Sequence, residues 1–478
     1  MKPAHTPLNA ARRLWLKKSA ALLAGSGLAG GLMLGSRVAR AADYKALVCI
    51  FLYGGNDGMN LVVPTDTTRY NQYAGVRQAL AIPRGALVGL GSSGFGLHPA
   101  LGALAPHWNS GMLAPVFNVG PLAVPLTKAQ YLAEPEGSPL IPDSLFSHSD
   151  QQILWECAGS DALARTGWGG RASTALATTN PVISVGGNGH FGVEDLRTPL
   201  VLPGPGSGFG AYGLRPEDTT WEPNRLRKVA VDALYAQPQS VDLATAFASQ
   251  QTGAFEISQR LSGLVATMPG DTGSVPAIDA AFAPMVSDGY FTNGLAAQLY
   301  QVAKLIQGHN TVQGDRQIFF ATMGGFDTHS GQVSYGDPAN GEHAGLLHAL
   351  GDALAAFQSA MVGIGMANQV TTFTQADFGR TFAPNSSLGT DHAWGNHQLV
   401  MGGAVKGGKT YGTYPTLVLG GPDDVGVEDW ELQGRWIPTS AVDQYAATLL
   451  SWFGATDAQL ATALPNLAHF SQRSLGFL

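Results

Sequence analysis

The sequence predicts an α/β protein built on a doubly wound, mainly parallel sheet with helices on both faces and a helical insertion. Three observations lead there. Short, β-branched, nearly continuous apolar runs recur along the chain, as they do in strands buried on both faces. Amphipathic stretches of helical period lie between several of them, the alternation expected when helical crossovers join parallel strands. The 478 residues include only 13% charged but 45% hydrophobic residues, with 62 glycines and 28 prolines. That balance suits a large core with many tight loops and excludes a disordered chain or a coiled coil.

Residues 1–41 read as an export signal. Arg12 and Arg13 precede Leu14-Trp15-Leu16-Lys17, then comes a short apolar stretch broken by glycines, then Ala39-Arg40-Ala41. The pattern is that of twin-arginine export with cleavage near Ala41, and the stretch is a poor membrane span. It places the mature protein, residues 42–478, in the periplasm or outside the cell, without a stable membrane span and exported already folded. Removing the seven basic residues of the signal leaves 20 basic against 34 acidic residues, a net charge of −14. Such a chain repels nucleic acid and anionic membranes. Cys49 and Cys157 are the only cysteines, and because Cys49 lies inside an expected buried strand, free thiols fit as well as a disulfide.

Strands are expected at 46–53, 113–120, 181–187, 316–325, 369–375 and 416–421. Leu295, Leu299, Val302 and Ile306 mark one helix, Leu350, Leu354, Phe357 and Met361 a second, and Val442, Tyr445, Leu449 and Trp452 a third. The helical pattern from Glu222 to Met268 lies between two Gly/Pro-rich segments. It reads as an insertion at about 211–275 over a single domain.

Three strands end alike. The first delivers Asp57 from Gly54-Gly55-Asn56-Asp57-Gly58, the second Asp327 and His329, the third Asp377. Loops at the carboxyl ends of parallel strands form the ligand crevice of an open sheet. Carboxylates gathered there repel one another unless a cation lies between them, and zinc, manganese, magnesium or calcium would suit Asp and His ligands. The Gly-rich segment before a later apolar run adds Asp391, His392 and His397, a further set of ligand types. Ser147-His148-Ser149-Asp150 opens a helix. Ser147 can be its cap or a nucleophile held where free N–H groups bind an oxyanion. Arg380 is the favoured anion contact, since a guanidinium fork matches a tetrahedral oxyanion. His98, His343 and His348 read as junction or helix residues, and Arg171 as part of a tight turn and a second candidate anion contact. The early Gly54-Gly55-Asn56-Asp57-Gly58 run is not a GxGxxG fingerprint, and no haem or iron–sulfur cysteine spacing occurs, which disfavours an oxidoreductase.

The order FLYGGNDGMNLVVP, LHPAL, SHSDQQ, GWGGR, MGGFDTH, FGRT and GTDHAWGNH behind the export signal resembles the bacterial family filed as domain of unknown function 1501. That family is similar to the alkaline-phosphatase-like superfamily of phosphatases and sulfatases. The resemblance implies a two-metal crevice in which Asp57 follows the first strand and Ser147 is the hydroxyl nucleophile. It further implies Asp327 and His329 as paired ligands, Asp377 as a ligand of the other ion, and His392 or His397 as the final histidine. Phe378 stands where many superfamily members carry a histidine after the aspartate. The expected function is an exported metal-dependent hydrolase of small or polymer-borne phosphate or sulfate esters. The alternative is a non-catalytic binding or assembly protein on the same scaffold, working with a co-exported protein.

Overall fold

A computed structural model describes residues 44–135, 137–238 and 240–478; the expected export signal lies outside them. The main sheet has eight strands: β1 (Lys45–Leu52), β2 (Leu113–Gly120), β3 (Ile183–Ser184), β4 (Leu200–Val201), β5 (Arg316–Met323), β6 (Val370–Ala376), β7 (Asn396–Gly402) and β8 (Ser440–Ala441). Their order is β8-β2-β7-β6-β1-β5-β3-β4. Pairing is parallel except on both sides of β7, which runs antiparallel to β6 and β2. The fold is mixed α/β on a mostly parallel sheet.

β1 shows why. Its KALVCIFL run is buried almost throughout, and successive side chains go to opposite faces. Ala46, Val48, Ile50 and Leu52 join one core with α5 (Gly294–Gln307) and α6 (Glu342–Gly363). Leu47, Cys49 and Phe51 join another with α7 (Val442–Phe453). The other helices that matter here are α1 (His148–Cys157), α2 (Trp168–Ala175), α3 (Glu222–Tyr235) and α4 (Asp242–Ala266). Both cysteines are buried free thiols.

α3 and α4 fall within residues 211–275. α4 packs through Leu261 and Val265, and Lys304 of α5 donates to the carbonyls of Leu264, Val265 and Thr267 at its end. A lysine there satisfies carbonyls that have no partner within the helix. Residues 416–421 are not a strand. Asp423 accepts from the Thr416 N–H, Asp424 accepts from the Gly420 N–H, and Leu417 adopts φ +63°. Two aspartates thus take the backbone groups that a sheet would have paired. Of 181–187, only Ile183 and Ser184 form a strand. Among the described residues no helix is long and apolar enough to cross a membrane.

β1 lies between β5 and β6, with Leu52 opposite both Met323 and Ala376. The three strands therefore end level, and their following loops meet.

Asp443, at the start of α7, is buried with Oδ1 unpartnered. Burial pushes its carboxyl from 3.8 up to about 8, against the opposing pull of Arg171. The folded state therefore holds this proton more tightly than the unfolded chain. The associated stability is complete below the unfolded value and is lost as pH rises through about 8. Glu156, pushed up to about 7 by burial, acts in the same direction. The urea midpoint is expected to fall between about pH 5 and pH 8.5, and Asp443→Asn should flatten most of that fall.

Candidate metal centre

The approach of the three loops begins with glycine. Gly54 has φ +111°, and a Cβ there would lie 2.4 Å from the Asp327 backbone nitrogen, so only glycine lets the β1 loop touch the β5 loop. Arg380, buried in the β6 loop, fastens the loops together. Its Nε donates to Gly55 O (2.8 Å), Nη1 to Thr390 O (3.1 Å), and Nη2 to Gly54 O and to Asp327 Oδ1 (2.6 Å). Residues 379–381 also pair with 391–394 through the backbone, which delivers His392 to the same place.

Four side chains converge there: His148, Asp327, His329 and His392, with one ligand-type atom from each inside a span of 4.8 Å. His329 Nε2 lies 2.8 Å from His392 Nε2. Asp327 Oδ1 lies 3.1 Å from Nε2 of His148, 3.1 Å from that of His329 and 3.6 Å from that of His392. Donors bound at roughly 2.0–2.2 Å around a zinc-like ion would stand about 3.3 Å apart. The observed separations bracket that value.

The tautomers decide what such a cluster can do. His392 Nδ1 is 2.6 Å from the Phe146 carbonyl, His148 Nδ1 is 2.7 Å from Asp377 Oδ2, and His329 Nδ1 is 2.9 Å from Asp391 Oδ1. Carbonyls and carboxylates only accept, so each Nδ1 carries its proton and each Nε2 turns a lone pair inward. Three such lone pairs and a carboxylate oxygen repel one another unless a cation or a proton sits among them. His148 Nε2 is buried without a hydrogen bond. The residues fit a divalent cation, and the His/Asp set can hold one.

The local field agrees. Partial burial would raise the Asp327 carboxyl, but the hydrogen bond and charge of Arg380, with His148 and His329, hold it at about 2, so it stays anionic. The hydrogen bond to Asp377 raises His148, and burial lowers His392. The side chains of Asp327 (50% exposed) and His329 (45%) are more open than those of His148 (27%) and His392 (23%). The cluster therefore opens to solvent on the Asp327–His329 side. On the closed side the buried Phe378 ring lies 4.7 Å from His148 and 4.6 Å from His392. Phe146 adopts φ +73°, a costly conformation for a bulky residue, while its carbonyl anchors His392. Arg435 covers the Phe146 ring at 4.7 Å and donates to His392 O.

Asp327, His329 and His392 thus meet as the sequence suggested, and other expected ligands do not. Asp57 is fully buried and turned inward. It caps the short helix Gly58–Leu61, pairs with Arg77 and accepts from Gln332, so its charge is already balanced. Asp377 supports the cluster from behind, accepting from Gly54 N–H and Gln152 as well as holding His148. His397 lies in the core between Phe117 and Tyr414. Its Nδ1 accepts from Asn118 N–H, and burial pushes it down to about 3. Arg380 faces the loops rather than solvent and clamps Asp327 instead of awaiting an anion. Ser147 precedes His148 half-buried, without capping its helix, and its Oγ is 3.2 Å from Ser149 Oγ. His148 is the member of the cluster that the sequence reading did not single out. Its signal was a place at the start of a helix aimed at the crevice, inside a motif whose hydroxyls drew the attention.

Fold and site together define a mixed α/β protein with a surface-opening three-histidine, one-aspartate cluster. The chain belongs to the family described as "Protein of unknown function (DUF1501)", whose model matches residues 140–427. No curated protein matches it. Among solved structures, the chain is similar to one titled "Crystal structure of Ps i-CgsB in complex with k-i-k-neocarrahexaose". The TM-score is 0.34 at 10% identity, covering 87% of this chain and 74% of that one. A likeness that low carries no argument.

The division between Asp57 and the cluster is testable by thermal unfolding with and without zinc. Asp57→Asn should destabilise the protein by on the order of 3–5 kcal/mol, because it strands the buried Arg77, yet keep the zinc-induced rise in Tm. His148→Ala and His329→Ala should lose that rise.

Proposed function

We propose that the protein is an exported, divalent-metal-dependent hydrolase of phosphate or sulfate esters. The observation that carries the reading is the set of three imidazoles whose Nδ1 atoms are each anchored, so that every Nε2 aims at Asp327 Oδ1. His148, Asp327, His329 and His392 would hold the ion. When bound, such an ion neutralises charge on an ester oxyanion and lowers the pKa of a hydroxyl or water.

The chain's own residues supply the rest. The opening beside Asp327 and His329 admits the ester. Ser147, next to His148 and not spent on a cap, is the nucleophile: its Oγ bonds to phosphorus or sulfur as the ester C–O–P or C–O–S link breaks. The serine proton is released and the departing oxygen takes one up to leave as an alcohol. Water then cleaves the seryl ester, returning the hydroxyl and freeing phosphate or sulfate. N–H groups in the first turn of α1 lie beside the serine and suit the oxyanion. Asp377, Asp391 and the Phe146 carbonyl keep the imidazoles in one tautomer, and Arg380 keeps Asp327 in place. The twin-arginine pattern supports export to the periplasm or beyond, and the acidic chain supports a substrate other than nucleic acid.

A second reading is a non-catalytic binding or assembly protein on this scaffold. The inward-facing Asp57 and Arg380, and Phe378 packed against two of the histidines, favour it.

Aryl phosphate and aryl sulfate turnover by zinc- or manganese-supplemented protein separates the two. The hydrolase reading expects hydrolysis of one of them and a loss of roughly a thousandfold or more in kcat for Ser147→Ala, as removal of a nucleophile produces. Metal-loaded protein inert on both esters would leave the binding reading in place.

A further inference from the structure

Helix α3 is oriented against its own amphipathicity. The side toward α4 carries Asn224, Lys228, Val231 and Tyr235, all partly buried. Tyr235 lies 6.1 Å from both Phe247 and Phe255, and Lys228 sits over Phe255. The opposite side carries Leu226, Val229, Ala230, Ala233 and Leu234, all exposed, with Leu226 at 54%, Val229 at 53% and Leu234 at 56%. Positions i, i+3, i+4, i+7 and i+8 form one continuous apolar stripe, and here that stripe points away from the protein. A surface helix ordinarily buries such a face, and a contiguous exposed one marks an interaction site.

We propose that a second copy of this chain covers the stripe, α3 packing antiparallel on the partner's α3 about a two-fold axis. The charges beside the stripe select this occupant. Arg225 and Asp232 are seven residues apart, two helical turns, and so lie on the same flank. When the helices cross between residues 228 and 229, each Arg225 faces the partner's Asp232 and each Asp232 the partner's Arg225. A single helix thereby supplies two ion pairs, the self-complementarity that an isologous dimer requires. Val229 then sits at the axis, with Leu226 against the small partner residues Ala230 and Ala233. Within one chain Arg225 is held by Glu222 and Asp232 by Lys228, exposed i,i+3 and i,i+4 pairs that cost little to share. An acidic membrane surface is a poor alternative, since the chain from residue 42 carries a net charge of −14.

Sedimentation velocity of the full chain at micromolar concentration tests the assignment. The wild type should be a dimer and Val229→Glu a monomer with unchanged circular dichroism. Arg225→Asp and Asp232→Arg should each weaken the dimer by about tenfold or more, and the two combined should restore it. A monomeric wild type, a dimer indifferent to Val229→Glu, or a double variant no better than the singles would overturn the proposal. So would a monomer that pellets with phosphatidylserine vesicles.

Discussion

Three imidazole nitrogens and a carboxylate oxygen, all with lone pairs turned toward one point, form an arrangement that a protein keeps only at a cost. In the ion-free chain the His148 ring can carry a proton on each nitrogen, Nδ1–H toward Asp377 and Nε2–H toward Asp327, and the hydrogen bond to Asp377 raises that histidine. A divalent cation removes the repulsion more completely, because it meets all four donors at once. Proton and cation compete for the same atoms, as they do in any site built from histidine and carboxylate. The remaining features of this end of the sheet make sense as devices that hold the four donors together despite their mutual repulsion.

Those devices are layered. Level strand ends bring three loops to one place, and Gly54 lets two of them touch. Arg380 then spends its guanidinium on three backbone carbonyls and Asp327, a use that needs a planar, permanently charged fork. Behind the histidines, Asp377, Asp391 and the strained Phe146 each fix one ring. Asp57 belongs to a separate, deeper network with Arg77 and Gln332, where its charge stabilises the turn after β1 rather than the site.

Much of the fold was legible because it rests on periodicity. The buried runs of β1, β2, β5 and β6 and the apolar stripes of α5, α6 and α7 follow directly from which residues must leave water. The two-residue strands β3 and β4 were not legible at their true length, nor was 416–421 as a loop, since nearby aspartates rather than the run itself decided the backbone pairing there. In the site, Asp327, His329 and His392 could be read because their segments carry several ligand types close together. Asp57 and Asp377 sit after strands in the same way, but the direction of each carboxylate is set by a partner outside its own motif, Arg77 at the end of a helix and His148 at the start of another. His397 shares a motif with His392, yet it falls at the start of β7 with its ring in the core.

The central claim is that this end of the sheet holds one divalent cation on His148, Asp327, His329 and His392. Elemental analysis of the purified full chain, prepared without chelator, tests it most directly. One ion per chain in the wild type, absent from His148→Ala, is the predicted result. Two ions per chain, or an unchanged count after loss of His148, would contradict it.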